Sequence, residues 1–132
     1  MDPYAELVEE FASWARDRGD IRAAAVIGSR ARLLKPADRW SDVDILLLAR
    51  KLLRYLSDGS WLQAIADPLL TYVEPLPTGG GRAERRVLLR GALEVDLAIL
   101  SARQLRAACV VLPLVRRIPG CFPLRCEPSS TR

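Results

Sequence analysis

The chain has 132 residues, half of them hydrophobic and 27% charged, the balance of one soluble globular domain rather than a disordered or fibrous chain. Of the formal net charge of +4, residues 108–132 carry +3, so the body of the chain is nearly neutral and a nucleic-acid-binding surface is not expected. There is no histidine, and the three cysteines (Cys109, Cys121, Cys126) form no C-x-x-C pair. This excludes a zinc signature and Ser/His or Cys/His nucleophilic catalysis, and leaves proton transfer to carboxylates.

In chain order, Asp2-Pro3 is a strong helix opening: Asp caps and Pro is favoured at the first helical position. Leu7, Val8, Phe11, Trp14 and Ala15 then recur at three- and four-residue spacing on one apolar face, and Gly19 is a suitable stop. Met1 to Glu10 is acidic and amphipathic, unlike a signal peptide, and no apolar run approaches the ~20 residues a membrane span needs. A cytoplasmic location is therefore expected, with no membrane partner.

Ile21 to Ile27 reads as a buried strand ended by Gly28. Ser29 to Leu34 fits a short helix, and Lys35 to Trp40 a loop broken by Pro36. Ser41 to Ala49 reads as a second strand whose continuous apolar end implies burial on both faces. Arg50 to Leu56 is expected to be helical, Ser57 to Ser60 a turn, and Trp61 to Ala66 a further helical turn. Leu69 to Val73 reads as a short strand and Pro75 to Gly81 as a loop. Arg82 to Leu89 and Leu93 to Leu100 flank Arg90-Gly91-Ala92 as a hairpin. Ser101 to Gln104 fits a capping box. After Ala108 the prolines Pro113, Pro119, Pro123 and Pro128 predict an irregular tail, so the domain is placed at residues 1–107 and the tail at 108–132.

The chemistry gathers on a few positions. Asp42 and Asp44, one residue apart on a strand, point to one face about 6.5–7 Å apart. Two uncompensated charges there repel by about 2–3 kcal/mol at an effective dielectric of 20. A magnesium ion removes that penalty and is itself bound by carboxylates and substrate phosphates. Asp96 completes the set if its strand lies beside this one, either holding a second metal or accepting a hydroxyl proton. Gly28 has no Cβ to keep a phosphate from the backbone, Ser29 offers its hydroxyl and N–H at a helix start, and Arg30 can clamp a phosphate oxygen.

Gly28-Ser29, then Asp42-x-Asp44, then a later strand aspartate, Asp96, resembles the DNA polymerase β-like nucleotidyltransferase superfamily. More narrowly, Gly28 to Arg32, the insertion around Pro36-Ala37-Asp38, and Trp40 to Asp44 are similar to the aminoglycoside (streptomycin) 6-adenylyltransferases. The resemblance implies an α/β (α+β) fold, a mixed β-sheet flanked by helices. It also implies an enzyme that transfers AMP from ATP to a drug hydroxyl and releases pyrophosphate. By it Asp42, Asp44 and Asp96 hold two magnesium ions as the catalytic carboxylates, and Gly28, Ser29 and Arg30 contact the triphosphate. The expected partners are the nucleoside triphosphate and an aminoglycoside acceptor or a partner protein. The family's long helical C-terminal domain is missing from this reading. Two alternatives stand beside it: a minimal nucleotidyltransferase antitoxin that adenylylates a partner toxin, suggested by the length, and a truncated inactive remnant, suggested by the tail.

Overall fold

The computed structural model describes residues 2–27, 42–75, 83–104 and the strand 115–117. Helix α1 (Pro3–Arg16) starts where the Asp2 carboxylate accepts the Tyr4 N–H at 3.0 Å, with Glu6 in its first turn and Arg16 in its last. Both charges complement the helix dipole. Its buried face is the predicted one extended by Tyr4 and Ala12, with Val8 at the margin. The helix ends at Arg16, before Gly19, and Asp17 caps it in ordinary right-handed geometry (φ −84°). Gly19 therefore does not act as a left-handed stop.

Six strands follow among the described residues: β1 (Ile21–Ile27), β2 (Val43–Ala49), β3 (Pro68–Pro75), β4 (Ala83–Leu89), β5 (Leu93–Leu100) and β6 (Val115–Arg117). They form one mixed sheet in the order β3-β4-β5-β2-β1-β6. Only the central β2–β5 pair is parallel among these; the other four pairings are antiparallel. Between β2 and β3 lie helix α2 (Leu52–Ser57) and a 3-10 helix (Ser60–Ala64), close to the helical stretches expected there. Ser101 and Gln104 make the reciprocal capping box, the Gln104 N–H donating to Ser101 Oγ at 3.2 Å and the Ser101 N–H to Gln104 Oε1 at 3.0 Å.

Strand β6 lies inside the segment expected to be an irregular tail. It pairs with β1, placing Val115 opposite Ile27 and Arg117 opposite Ala25. A three-residue strand fits between Pro113 and Pro119, and the proline count limits its length without preventing it. Sheet pairing thus continues past residue 107.

The β4–β5 turn uses positive φ at Gly91 (88°) and Ala92 (60°), and the Ala92 N–H closes it onto the Leu89 carbonyl at 3.1 Å. Glycine adopts this geometry at no steric cost, which is why the hairpin was legible.

Two apolar layers result. The larger one joins α1, α2 and the 3-10 helix to one sheet face through Phe11, Val43, Ile45, Leu47, Tyr55, Leu62, Val95, Leu97 and Ile99. On the opposite face Ala23, Leu46, Leu48 and Leu100 form a smaller cluster. Side chains alternate along a strand, so Asp44 shares a face with Leu46 and Leu48, and Asp96 with Ala98 and Leu100. The carboxylates occupy the sheet face away from α1.

Candidate active site

The centre of the sheet positions the site. In the parallel β2–β5 register Asp44 lies directly opposite Asp96. Apolar neighbours on both strands make this register specific: Val43 pairs with Val95 and Ile45 with Leu97, all four essentially inaccessible to solvent. A slip of either strand by one residue would turn its aspartate into the core. Asp42 sits one residue ahead of β2, not within it, yet its carboxylate converges with the other two. One oxygen from each of Asp42, Asp44 and Asp96 lies within 4.8 Å of the others.

Such a set of hard oxygen donors fits magnesium, whose ligands at about 2.1 Å put donor atoms no more than about 4.2 Å apart. The three side chains need only a small contraction to meet around one ion. All three are half-buried.

The electrostatics match. Burial, then the Asp42 charge and the Glu84 charge, push the Asp44 carboxyl up to about 6, with Arg86 and a hydrogen bond to Asp96 opposing. Asp96 is pushed up to about 7 by burial first, then by its hydrogen bond to Asp42 and the charges of Asp42 and Glu84; Arg86 again opposes. Crowded carboxyls that hold protons near neutrality are the signature of a cluster awaiting a counter-charge.

A pH dependence follows. Between about pH 4 and 7 the folded chain keeps protons that the unfolded chain has released, so stability from this cluster is present at low pH. It is lost as pH rises through 6 to 7. Because both groups are partly open to solvent, screening reduces the effect to about 1–2 kcal/mol. Metal-free protein should melt progressively lower from pH 5 to pH 8 through this contribution. Magnesium should restore the midpoint at pH 8 and have little effect at pH 5, and Asp96→Asn should flatten the profile. A midpoint that rises steadily with pH in the metal-free chain, with Asp96→Asn having no influence, would contradict this assignment.

Gly28, Ser29 and Arg30 lie outside the described residues, as does the predicted helix and loop up to Trp40. The residue before them, Ile27, stands opposite Asp44 in the β1–β2 register. Two further groups belong to the site and had no motif to announce them. Glu84 and Arg86 on β4 both act on the carboxylates, and Arg86 lies directly opposite Asp96. They alternate with the buried Arg85, and a strand pattern of polar, polar, polar gives no sign of which face matters. A cavity of about 520 Å³ on the helix side, lined by Glu6, Glu10, Leu89 and Arg90 among others, contains none of the carboxylates and is separate from this chemistry.

A mixed sheet whose central parallel pair presents facing aspartates, with a third carboxylate beside them, is the framework of a nucleotidyltransferase domain. The sequence comparison is specific: residues 1–108 match the family described as streptomycin adenylyltransferase, and the chain belongs to that family. Among solved structures, an aminoglycoside 6-adenyltransferase from Bacillus subtilis superposes with a TM-score of 0.52 at 14% identity, over 78% of this chain and 35% of that one. Terminal uridylyl transferase 4 from Trypanosoma brucei, with bound GTP, gives a TM-score of 0.40 at 18% identity, over 81% of this chain and 36% of that one. The chain thus spans about a third of the length of each structure. No curated protein matches it by sequence. Among the described residues no helix is long and apolar enough to cross a membrane.

Proposed function

We propose that this domain transfers AMP from ATP to a hydroxyl of an aminoglycoside of the streptomycin type, in the cytoplasm, and so inactivates the drug. The single observation that carries the reading is the convergence of Asp42, Asp44 and Asp96 across the central parallel strands in a chain of this family.

Asp42, Asp44 and Asp96 would hold magnesium, which when bound neutralises phosphate oxygens and aligns the attack. The protein's own contribution is position. Val43, Ile45, Val95 and Leu97 lock the two strands so that Asp44 and Asp96 face each other without further ordering. Gly28, Ser29 and Arg30, next in sequence after β1, are assigned to the triphosphate. The acceptor then approaches over β5 and β4. As its oxygen–phosphorus bond forms, the bond from the α-phosphorus to the bridging oxygen breaks and pyrophosphate leaves with the electron pair. The hydroxyl proton passes to Asp96, the carboxylate nearest the acceptor side.

The test is a transfer assay with α-labelled ATP and magnesium against streptomycin and other aminoglycosides. Label should move to the drug with pyrophosphate released in equal amount. Tight magnesium-dependent ATP binding with no transfer to any aminoglycoside would remove the acceptor from the proposal and leave the nucleotide half standing.

A further inference from the structure

Four residues share one line across the sheet. Asp44 lies opposite Asp96 on β2–β5, Asp96 opposite Arg86 on β5–β4, and Arg86 opposite Tyr72 on β4–β3. Directly opposed residues put their side chains on the same face. Arg86 is therefore one strand spacing, about 4.8 Å, beyond the third carboxylate on the carboxylate face. In the order β4-β5-β2-β1, it flanks the cluster from the side opposite the strand that Gly28 to Arg30 follow.

The guanidinium is held. Its Nε lies 3.2 Å from Glu74 Oε2 in an ion pair, which leaves both terminal NH₂ groups outside that pair. Asp96 first, then Glu84 and Glu74, stabilise its positive charge. As an ion pair this arrangement does little for the fold, because both side chains are nearly half-exposed (45% and 48%). As a neighbour of a metal site it is unfavourable: a cation beside carboxylates weakens their attraction for a divalent ion. Its placement makes chemical sense when an anion has to be bound over those carboxylates together with the metal. A guanidinium whose two NH₂ groups lie outside its ion pair suits phosphate oxygens.

We propose that Arg86 is a catalytic residue that donates hydrogen bonds to the phosphoryl group being transferred, from the β4 side, and that Glu74 holds it in reach. This rests on the nucleotidyl-transfer reading above. Arg86 moves no proton; its role is to stabilise the charge that builds on the equatorial phosphate oxygens as the bond to the leaving pyrophosphate breaks.

The experiment uses the 132-residue chain with Arg86→Met, Arg86→Lys and Glu74→Gln, and measures thermal melting, Mn²⁺ binding without nucleotide, and Mg·ATP binding. Arg86→Met should melt within about 2 °C of the parent. It should bind bare Mn²⁺ as tightly or more tightly, and bind Mg·ATP ~10- to 100-fold more weakly, the loss of a charge-assisted hydrogen bond. Arg86→Lys should fall between, and Glu74→Gln should weaken Mg·ATP a few-fold. The opposite movement of metal and nucleotide affinity is what a merely structural arginine cannot produce. Mg·ATP affinity unchanged in Arg86→Met, or Mn²⁺ and Mg·ATP lost together, overturns the proposal and leaves the nucleotidyl-transfer reading intact. A parent chain that binds Mn²⁺ but no Mg·ATP overturns both.

Discussion

Asp44→Asn is expected to leave a folded chain that no longer binds magnesium with ATP and transfers AMP about 1000-fold more slowly, a loss of about 4 kcal/mol of transition-state stabilisation. The substitution keeps the size of the side chain and removes its charge. Asp44 sits at the centre of the site, opposite Asp96 across the parallel pair and beside Asp42. Without its charge the two remaining carboxylates no longer offset a divalent ion's loss of hydration. In the absence of metal the same change relieves repulsion. At pH 8 the parent holds Asp44 ionised against Asp42 and Glu84, whereas the asparagine amide can donate to Asp96. The variant should therefore melt at the parent's midpoint or slightly above it without magnesium, and gain nothing when magnesium is added. The parent should gain by mass action, about 2.7 kcal/mol at a ligand concentration one hundred times its dissociation constant. Undiminished magnesium-dependent binding and transfer in the variant would sink the metal assignment.

That this residue could be singled out at all reflects what strand sequences encode. Ile45 to Ala49 and Val95 to Leu100 are apolar enough to be buried strands, and alternation then dictates that Asp44 and Asp96 cannot share the face of Val43 and Val95. What alternation does not encode is the neighbour. The β2–β5 contact joins residues about fifty positions apart, and only the tertiary structure sets Asp44 against Asp96. The motif resemblance supplied that step.

The same gap hid which residues of β4 serve the site, although the strand itself was legible as one arm of a hairpin. In Ala83-Glu84-Arg85-Arg86, three charged residues in succession give no sign of which face matters, yet one lies in the core and two face the carboxylates. β6 was hidden for a different reason. Its three residues make too short a pattern to stand out from a proline-rich background, and its stability depends on an open β1 edge that the local sequence does not describe. The start and buried face of helix α1 were legible because its cap, first-turn proline and apolar spacing are all local. Its end was misplaced at Gly19 because a glycine permits a left-handed stop without requiring one.

The buried member of that strand carries the largest expected effect on stability. Arg85 is 4% exposed, the one charged residue in the core among those described. Its Nε donates to the Tyr55 carbonyl at 3.0 Å and its Nη2 to the Leu56 carbonyl at 2.6 Å, so it satisfies the carbonyl end of α2. Nη1 donates to Thr71 Oγ1 at 2.9 Å, tying in β3. Gly59 leaves room for this arrangement, since a Cβ there would come within 2.9 Å of Thr71 Cγ2 and 3.0 Å of Nη1. One planar fork thus joins α2, β3 and β4. Burial lowers its proton affinity, with the Asp58 charge opposing, and carbonyl dipoles supply much of the compensation for a charge at a helix C-terminus.

Arg85→Ala removes three hydrogen bonds, takes this donor from the Leu56 carbonyl, leaves the Tyr55 carbonyl with the Trp61 Nε1–H at 3.2 Å alone, and leaves the space of the aliphatic stem unfilled. The expected loss is about 3–5 kcal/mol, a large share of the 5–15 kcal/mol that holds a domain together. Melting should fall by roughly 10–20 °C. Arg85→Met separates the terms: it refills the stem volume, so whatever deficit remains belongs to the lost hydrogen bonds. Arg85→Lys should recover only part, because an ammonium cannot span two carbonyls and a hydroxyl in one plane. The consequence reaches the site through the backbone. Glu84 and Arg86 flank Arg85 on the opposite face, so a β4 no longer pinned to α2 presents both less firmly beside Asp96. Urea titrations of the three variants, read together with Mg·ATP affinity, decide the point. If Arg85→Ala unfolds within about 1 kcal/mol of the parent, the fork is an ornament of the fold and Arg86 owes its position to Glu74 alone.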